Sequence, residues 1–219
     1  MWFAGIGDER CSMKRLFDIV ISSIGLLILL PLFALVSLLI KVDSRGSVFF
    51  WQERIGKNFK PFRIYKFRTM AADTEGTGSL ITVGGDSRIT KVGRVLRASK
   101  IDELPQLLNV LKGEMSLVGP RPEVRKYVQL FEADYKKLLM IRPGITDPAS
   151  IKYSSEETLL AGSDNWEEGY IGKILPEKIK LSLQYADSHT VVTDLKLIVK
   201  TVLKTSPLHK KDSRKRRVS

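Results

Sequence analysis

Between Asp18 and Lys41 the chain runs 22 residues without a charge, "IVISSIGLLILLPLFALVSLLI". No other feature limits the fold as strongly, because a straight helix of that length reaches about 33 Å, close to the hydrocarbon thickness of a bilayer. A cleaved secretory signal would use Lys14 and Arg15 as its basic start, but the apolar part is too long and "SLLIKVDSRG" offers no small-x-small cleavage site. A single-pass anchor fits the length. Basic residues nevertheless flank both ends, Lys14 and Arg15 before and Lys41, Arg45, Arg54, Lys57 and Lys60 after, a pattern that places both flanks on the cytoplasmic side. A segment with both ends on one side bends back, and Pro31 removes one helical hydrogen bond just past its middle. Ser22, Ser23 and Gly25 can accommodate backbone groups so released. A kinked spanning helix meets the same residues equally well, so both forms stay open at this point.

Beyond the apolar run, 219 residues leave room for one domain with appendages. The net charge of +12 calls for an acidic partner: nucleic acid, an anionic membrane or a phosphate-rich substrate. One cysteine, Cys11, excludes an internal disulfide, and the scattered His189 and His209 give no zinc spacing. "SVFFWQERIGKNFKPFRIYKFRTM" predicts a hairpin turning at "GKN". "AADTEGTGSLITVGGDSR" predicts a long loop. In "RITKVGRVLRASKIDELPQLLNVLKGEMSLVGPRPE", Ile101, Leu104, Leu107, Leu108 and Leu111 recur at helix spacing; Pro105 suits a first turn and Gly113 a C-terminus, which predicts a helix starting near Asp102. "PEVRKYVQLFEADYKKLLMI", "SEETLLAG" and a long "PEKIKLSLQYADSHTVVTDLKLIVKTVLK" also predict helices. The tail "HKKDSRKRRVS" reads as an exposed basic arm able to touch anionic lipid. The expected organisation is an extension over 1–12, a membrane helix over 13–40, a folded domain over 41–206 and the tail over 207–219.

Asp102 and Glu103 stand at the expected helix start, where backbone N–H groups favour an ionised carboxylate and welcome phosphate. An ionised carboxylate can attack phosphorus if cations neutralise the repulsion between the two anions. Arg97 lies five residues before Asp102, and Arg121 stands between prolines in "GPRPE", a rigid setting for bidentate phosphate recognition. Glu103 can offer a carboxylate to Mg²⁺. No Walker-type glycine loop and no dinucleotide fingerprint occurs. Two alternatives exist: a membrane-anchored nucleic-acid binder using the tail and the aromatics of "KNFKPFRIYKFR", and a non-catalytic scaffold. Both leave the acid pair without a purpose.

Taken together, "KRLFDIV" ahead of an apolar run with a central proline, "FFWQERIGKNFKPFRIYKFRTM", "DSRITKVGRVLR", "IDELPQLLNVLKGEMSLVGPRPE" and "RPGIT" resemble the bacterial sugar transferases, monotopic polyprenyl-phosphate phosphoglycosyl transferases. The resemblance covers residues 13 to about 205. It implies an α/β fold with a small sheet and several helices, some on the membrane surface, plus a re-entrant N-terminal helix broken at Pro31. It implies transfer of a phosphosugar from a UDP-sugar to polyprenyl (undecaprenyl) phosphate with release of UMP and a requirement for Mg²⁺. The location implied is the cytoplasmic face of the bacterial inner membrane, among membrane lipids, with no nucleic-acid partner and with a homodimer as an open alternative to a monomer. Carried over by motif, Asp102 falls on the nucleophile and Glu103 on the metal ligand, with Arg97 and Arg121 around the phosphates. Lys66, Arg68, Asp86 and Arg88 match motif positions of less specified role, and Arg142 is expected to face the nucleotide. This chain departs from the family's pattern with Leu30, where a serine usually precedes the membrane proline, and with "ITDPASIKYSSEE" in place of the commoner "ITGWAQVNGR".

Overall fold

The computed structural model describes residues 4–71, 86–154, 156–160 and 165–205, the side chains of 4–11, 157 and 158 excepted. Most of the loop expected over 71–88, and the basic tail, lie outside these residues.

Helix α1 (Ala4–Asp43) is 40 residues long and remains helical through Pro31, so the expected break is absent as a gap in secondary structure. It also begins earlier than residue 13. From Ser12 to Asp43 it is long and apolar enough to cross a membrane. One stripe of it packs on the domain at helical spacing: Asp18, Ser22, Val36 and Ile40 are buried, with Leu26, Leu29, Leu32 and Phe33 between them against the core. The other face is apolar and bare, Leu27 and Ile28 being 69% and 72% exposed, a pattern that suits contact with lipid.

Both ends of the apolar run are tied to the same domain. At the start, Arg15 donates to the carbonyls of Val110 (2.6 Å) and Leu111 (3.0 Å). Lys14 pairs with Asp194 and donates to Val118 O at 3.0 Å, while Asp18 accepts from Leu117 N at 3.1 Å. At the far end, Asp43 accepts from Val92 N at 2.9 Å. Arg68 closes the chain beyond it, donating to the carbonyls of Ser44 (2.8 Å) and Arg45 (2.7 Å).

Strands β1 (Phe49–Ile55) and β2 (Pro61–Phe67) form the expected antiparallel hairpin, in register Phe49↔Phe67. The turn holds a short 3₁₀ segment, Lys57–Phe59, with Asn58 and Phe59 left-handed. Alternation buries Phe62 and Ile64, and Phe67 at the strand's end is buried from the other face. Helix α2 (Lys91–Ser99) starts on Thr90, whose hydroxyl accepts from Gly93 N. A Cβ on Gly93 would overlap Thr69 O, so glycine lets α2 lie directly on the segment that follows β2.

The helix predicted from Asp102 starts later. Ile101–Glu103 form a single 3₁₀ turn, Pro105 stands at the N-cap, and α3 spans Gln106–Lys112, closed by left-handed Gly113. Then come β3 (Ser116–Val118), α4 (Arg125–Leu130), α5 (Glu132–Leu138) and β4 (Gly144–Thr146), with β4 parallel to β3. Among the described residues the sheet content is therefore two separate two-stranded ladders. The helix expected from Pro122 onward divides at Phe131, whose φ of −124° and ψ of 40° are non-helical.

Asp147 caps α6 (Pro148–Lys152), accepting from Ser150 N at 2.7 Å with Pro148 in the first turn. Helices α7 (Glu156–Leu160), α8 (Trp166–Gly169), a π-helical turn (Tyr170–Ile174) and α9 (Leu175–Ser188) follow. The single long final helix is instead α9 and α10 (Val191–Thr205). It divides because Thr190 and Thr193 cap reciprocally, each hydroxyl accepting from the other's N–H at 3.1 and 2.7 Å.

Candidate active site

A cavity of about 870 Å³ lies between the hairpin, the Ile101–Glu103 turn, the loop after β3, and helices α1, α6, α9 and α10. The acid pair sits in its wall. Left-handed Lys100 ends α2 and starts the 3₁₀ turn, and the turn sinks Asp102 to 7% exposure. Asp102 Oδ1 is buried and takes no hydrogen bond from any described residue. Burial, then the adjacent Glu103 charge, raises the Asp102 pKa to about 6. The expected placement at a helix N-terminus is corrected here: Asp102 stands in the 3₁₀ turn and α3 begins at Gln106, so the helix's first N–H groups lie beyond it.

Glu103 behaves oppositely. Burial alone would raise its pKa, but Arg121 and Lys66 hold it well below the usual carboxylate range. Arg121 grips it with both terminal nitrogens, Nη1 at 3.0 Å from Oε2 and Nη2 on Oε1, and Lys66 Nζ lies 3.0 Å from Oε1. Arg121 is raised above its ordinary value chiefly by that carboxylate, whereas burial lowers Lys66 despite Glu103. The backbone explains the placement of Arg121. Gly119 N donates to Thr146 O (3.0 Å) and Gly144 N to Pro120 O (2.9 Å), and a Cβ on Gly144 would overlap Gly119 N. Two glycines thus press the loop after β3 onto β4 and aim the Pro-flanked arginine back at the turn.

Of the other expected residues, Arg97 and Arg88 line the cavity. Arg97 donates to Thr69 Oγ1 at 3.4 Å. Arg88 pairs with Asp86, its Nε 2.9 Å from Oδ1, and Asp86 itself is not in the cavity wall. Arg68, though in the wall, spends its guanidinium on the carbonyls after α1. Arg142 is not brought to the site: its Nε donates to Gly113 O at 2.9 Å, at the C-terminus of α3, where a cation also meets the helix dipole. Of the hairpin's basic residues, Arg63 stacks on Trp51 at 4.1 Å on the exposed side and Lys66 holds Glu103.

The sequence reading missed a second buried ionic group in the same wall. Glu123 accepts from Tyr170 OH (2.8 Å) and faces Arg54 (3.4 Å) and Lys178 (3.5 Å), and Lys178 also reaches Glu156 at 3.0 Å. Burial would raise Glu123, but Lys178 and Arg54 lower it. Its position two residues after Arg121 in "GPRPE" was a usable signal.

No described cluster of three or more His, Cys, Asp or Glu forms a ready metal cage. Asp102 and Glu103 nevertheless fit Mg²⁺, which takes one or two carboxylates and completes its shell with water and substrate phosphate. The unpartnered Asp102 oxygen faces that requirement.

An acid pair ringed by fixed cations, in a cavity of a domain that carries a bare apolar helix, defines a membrane-associated protein built for phosphorylated ligands. The chain belongs to the bacterial sugar transferase family, whose model matches residues 9–206. It is 37% identical over 192 residues to a UDP-glucose:undecaprenyl-phosphate glucose-1-phosphate transferase of Caulobacter vibrioides, covering 86% of this chain and 68% of the relative. It is 39% identical over 198 residues to an exopolysaccharide production protein of Rhizobium leguminosarum bv. phaseoli, covering 87% and 94%. A UDP-N-acetylgalactosamine-undecaprenyl-phosphate N-acetylgalactosaminephosphotransferase of Aeromonas hydrophila is 45% identical over 142 residues, 64% of this chain. The match spans about a third of that relative, 34%.

Proposed function

We propose that the protein transfers a sugar 1-phosphate from a UDP-sugar to undecaprenyl phosphate and releases UMP, at the cytoplasmic face of the inner membrane. The observation that carries this reading is the asymmetry of the acid pair: Glu103 is locked by Arg121 and Lys66, while Asp102 Oδ1 is buried without a partner beside them. In the first step an Asp102 oxygen attacks the phosphorus that bears the sugar. The bond from that phosphorus to the bridging oxygen breaks, UMP departs with that oxygen, and an aspartyl phosphosugar remains. In the second step a phosphate oxygen of undecaprenyl phosphate attacks the same phosphorus. The acyl phosphate bond breaks, Asp102 is returned as carboxylate, and undecaprenyl diphosphosugar leaves.

Arg121 and Lys66 hold Glu103 and supply positive charge where two anions must meet; Arg97 extends that charge along the wall. Mg²⁺, held by Glu103 or Asp102 with substrate phosphate, would supply the remaining neutralisation. The docking of both ends of α1 on one domain supports a re-entrant placement, since a crossing segment would carry its ends to opposite sides.

The test incubates detergent-solubilised protein with undecaprenyl phosphate, Mg²⁺ and a panel of UDP-sugars, with UMP as the readout. Wild type should release UMP with at least one sugar, and UDP-sugar alone should leave an acid-stable mass adduct on the Asp102 peptide. Near-normal turnover by Asp102→Asn would overturn the covalent step, and no UMP from any sugar would overturn the transfer itself.

A further inference from the structure

We infer that the apolar wall of the cavity between α1 and α10 receives the first isoprene units of the lipid acceptor, an assignment that rests on the transfer proposed above. The wall starts at the reacting carboxylate. Leu104 and Leu107 line the cavity two and five residues beyond Asp102, and Leu107 Cδ1 stands 3.5 Å from where a Cβ on Gly25 would be. The catalytic turn thus hands over to the membrane helix without a polar interruption along that edge. Gly25 contributes no side chain there, and Ile21, one turn earlier, is in the wall and 40% exposed. Beside Ile21 and Gly25 on the helix surface, Ile24 and Ile28 are bare.

Ile198 and Val202 of α10 belong to the same cavity. Ile198 packs on the core, whereas Val202 is 61% exposed and is accompanied by exposed Val199 and Leu203. The two helices are joined by the Lys14–Asp194 ion pair near their starts. Apolar surface therefore runs from the acid pair to the bare faces of both helices. Thr201, Lys204 and Thr205 of α10 also line the cavity, Lys204 being engaged with Ile151 O, whereas the cations beside the acid pair lie elsewhere in the wall: Lys66 on β2, Arg97 on α2 and Arg121 after β3. A water-soluble substrate needs no such path. An amphiphile with an anionic head and a tail that stays in the bilayer needs cations for the head and continuous apolar surface for the tail.

The test uses the full chain in nanodiscs and a polyprenyl phosphate carrying a diazirine in its first isoprene unit. After illumination, adducts are expected on the peptides holding Ile21 and Gly25 and on those holding Ile198 and Val202, and excess undecaprenyl phosphate should displace them. Adducts confined to other peptides would overturn the assignment. So would equal labelling by a phospholipid with a diazirine acyl chain that undecaprenyl phosphate does not displace, which would mark a general lipid crevice. Val202→Trp adds bulk at an exposed position and should raise KM for undecaprenyl phosphate about tenfold while leaving KM for the UDP-sugar unchanged. An unchanged acceptor KM would count against the path. Failure of the parent reading is distinguishable, because it appears in wild type as no UMP from any UDP-sugar, whatever the cross-linking pattern.

Discussion

Burial that raises Asp102 to about 6, from an ordinary 3.8, links the ligand-free fold to pH. Below 3.8 the group is protonated whether the chain is folded or not. Between 3.8 and 6 the unfolded chain releases its proton first, so stability falls as pH rises and levels off above 6. The shift corresponds to something on the order of 2–3 kcal/mol. Asp102→Asn should remove this slope and be more stable than wild type by about 2 kcal/mol at pH 7.5, while losing transfer. Denaturant unfolding at pH 4.5 and 7.5, with chelator and without nucleotide, measures it; parallel wild-type and variant curves would refute the assignment. For Arg121, both terminal nitrogens engage Glu103, a geometry that a lysine ammonium cannot copy. Arg121→Lys should slow transfer at least tenfold, about 1.4 kcal/mol of barrier, and wild-type rates would reduce Arg121 to a rigid turn. The sequence exposed the acid pair and the proline-flanked arginine because their neighbours are strong local punctuation. It did not expose the raised pKa of Asp102, which follows from tertiary burial. Nor did it separate Arg68 and Arg142, which donate to backbone carbonyls, from Arg121, which grips Glu103, since the same five donors suit either partner.

Among elements, the hairpin was legible because alternation buries Phe62 and Ile64 while Arg63 stays out. Strands β3 and β4 were not, being three residues each and too short to show a period. The division between α9 and α10 was hidden because Thr190 and Thr193 look like ordinary helix residues until they cap each other. The joint between α1 and α10 was also out of reach, since its partners are so far apart in sequence. Lys14 faces Asp194, which is 1% exposed and also accepts from Tyr185 OH at 2.6 Å. Lys14→Met should destabilise the protein by about 3–5 kcal/mol by stranding that carboxylate, and Lys14→Met with Asp194→Leu should recover much of the loss. Thermal unfolding of the two variants in one detergent decides it: a double variant no better than the single would deny that the stranded charge is the cause.

At the scale of the molecule, α1 meets the domain at both ends, and the re-entrant placement proposed above puts both flanks on the domain's side of the membrane. In a Cys11→Ser background, single cysteines at Ser12 and at exposed Arg45 should both resist a membrane-impermeant maleimide in intact cells and both react after permeabilisation. Labelling of Ser12→Cys in intact cells would mean that the segment spans. The same closure has a consequence for synthesis. Lys14 leaves the ribosome 180 positions ahead of its partner Asp194. At bacterial or slower elongation rates of about 5–20 residues per second, that interval lasts roughly 10–40 s. Throughout it Lys14 has no partner and the domain that α1 docks on is unfinished, so the nascent apolar helix must be shielded by lipid or a chaperone until α10 emerges and Asp194 can pair with Lys14.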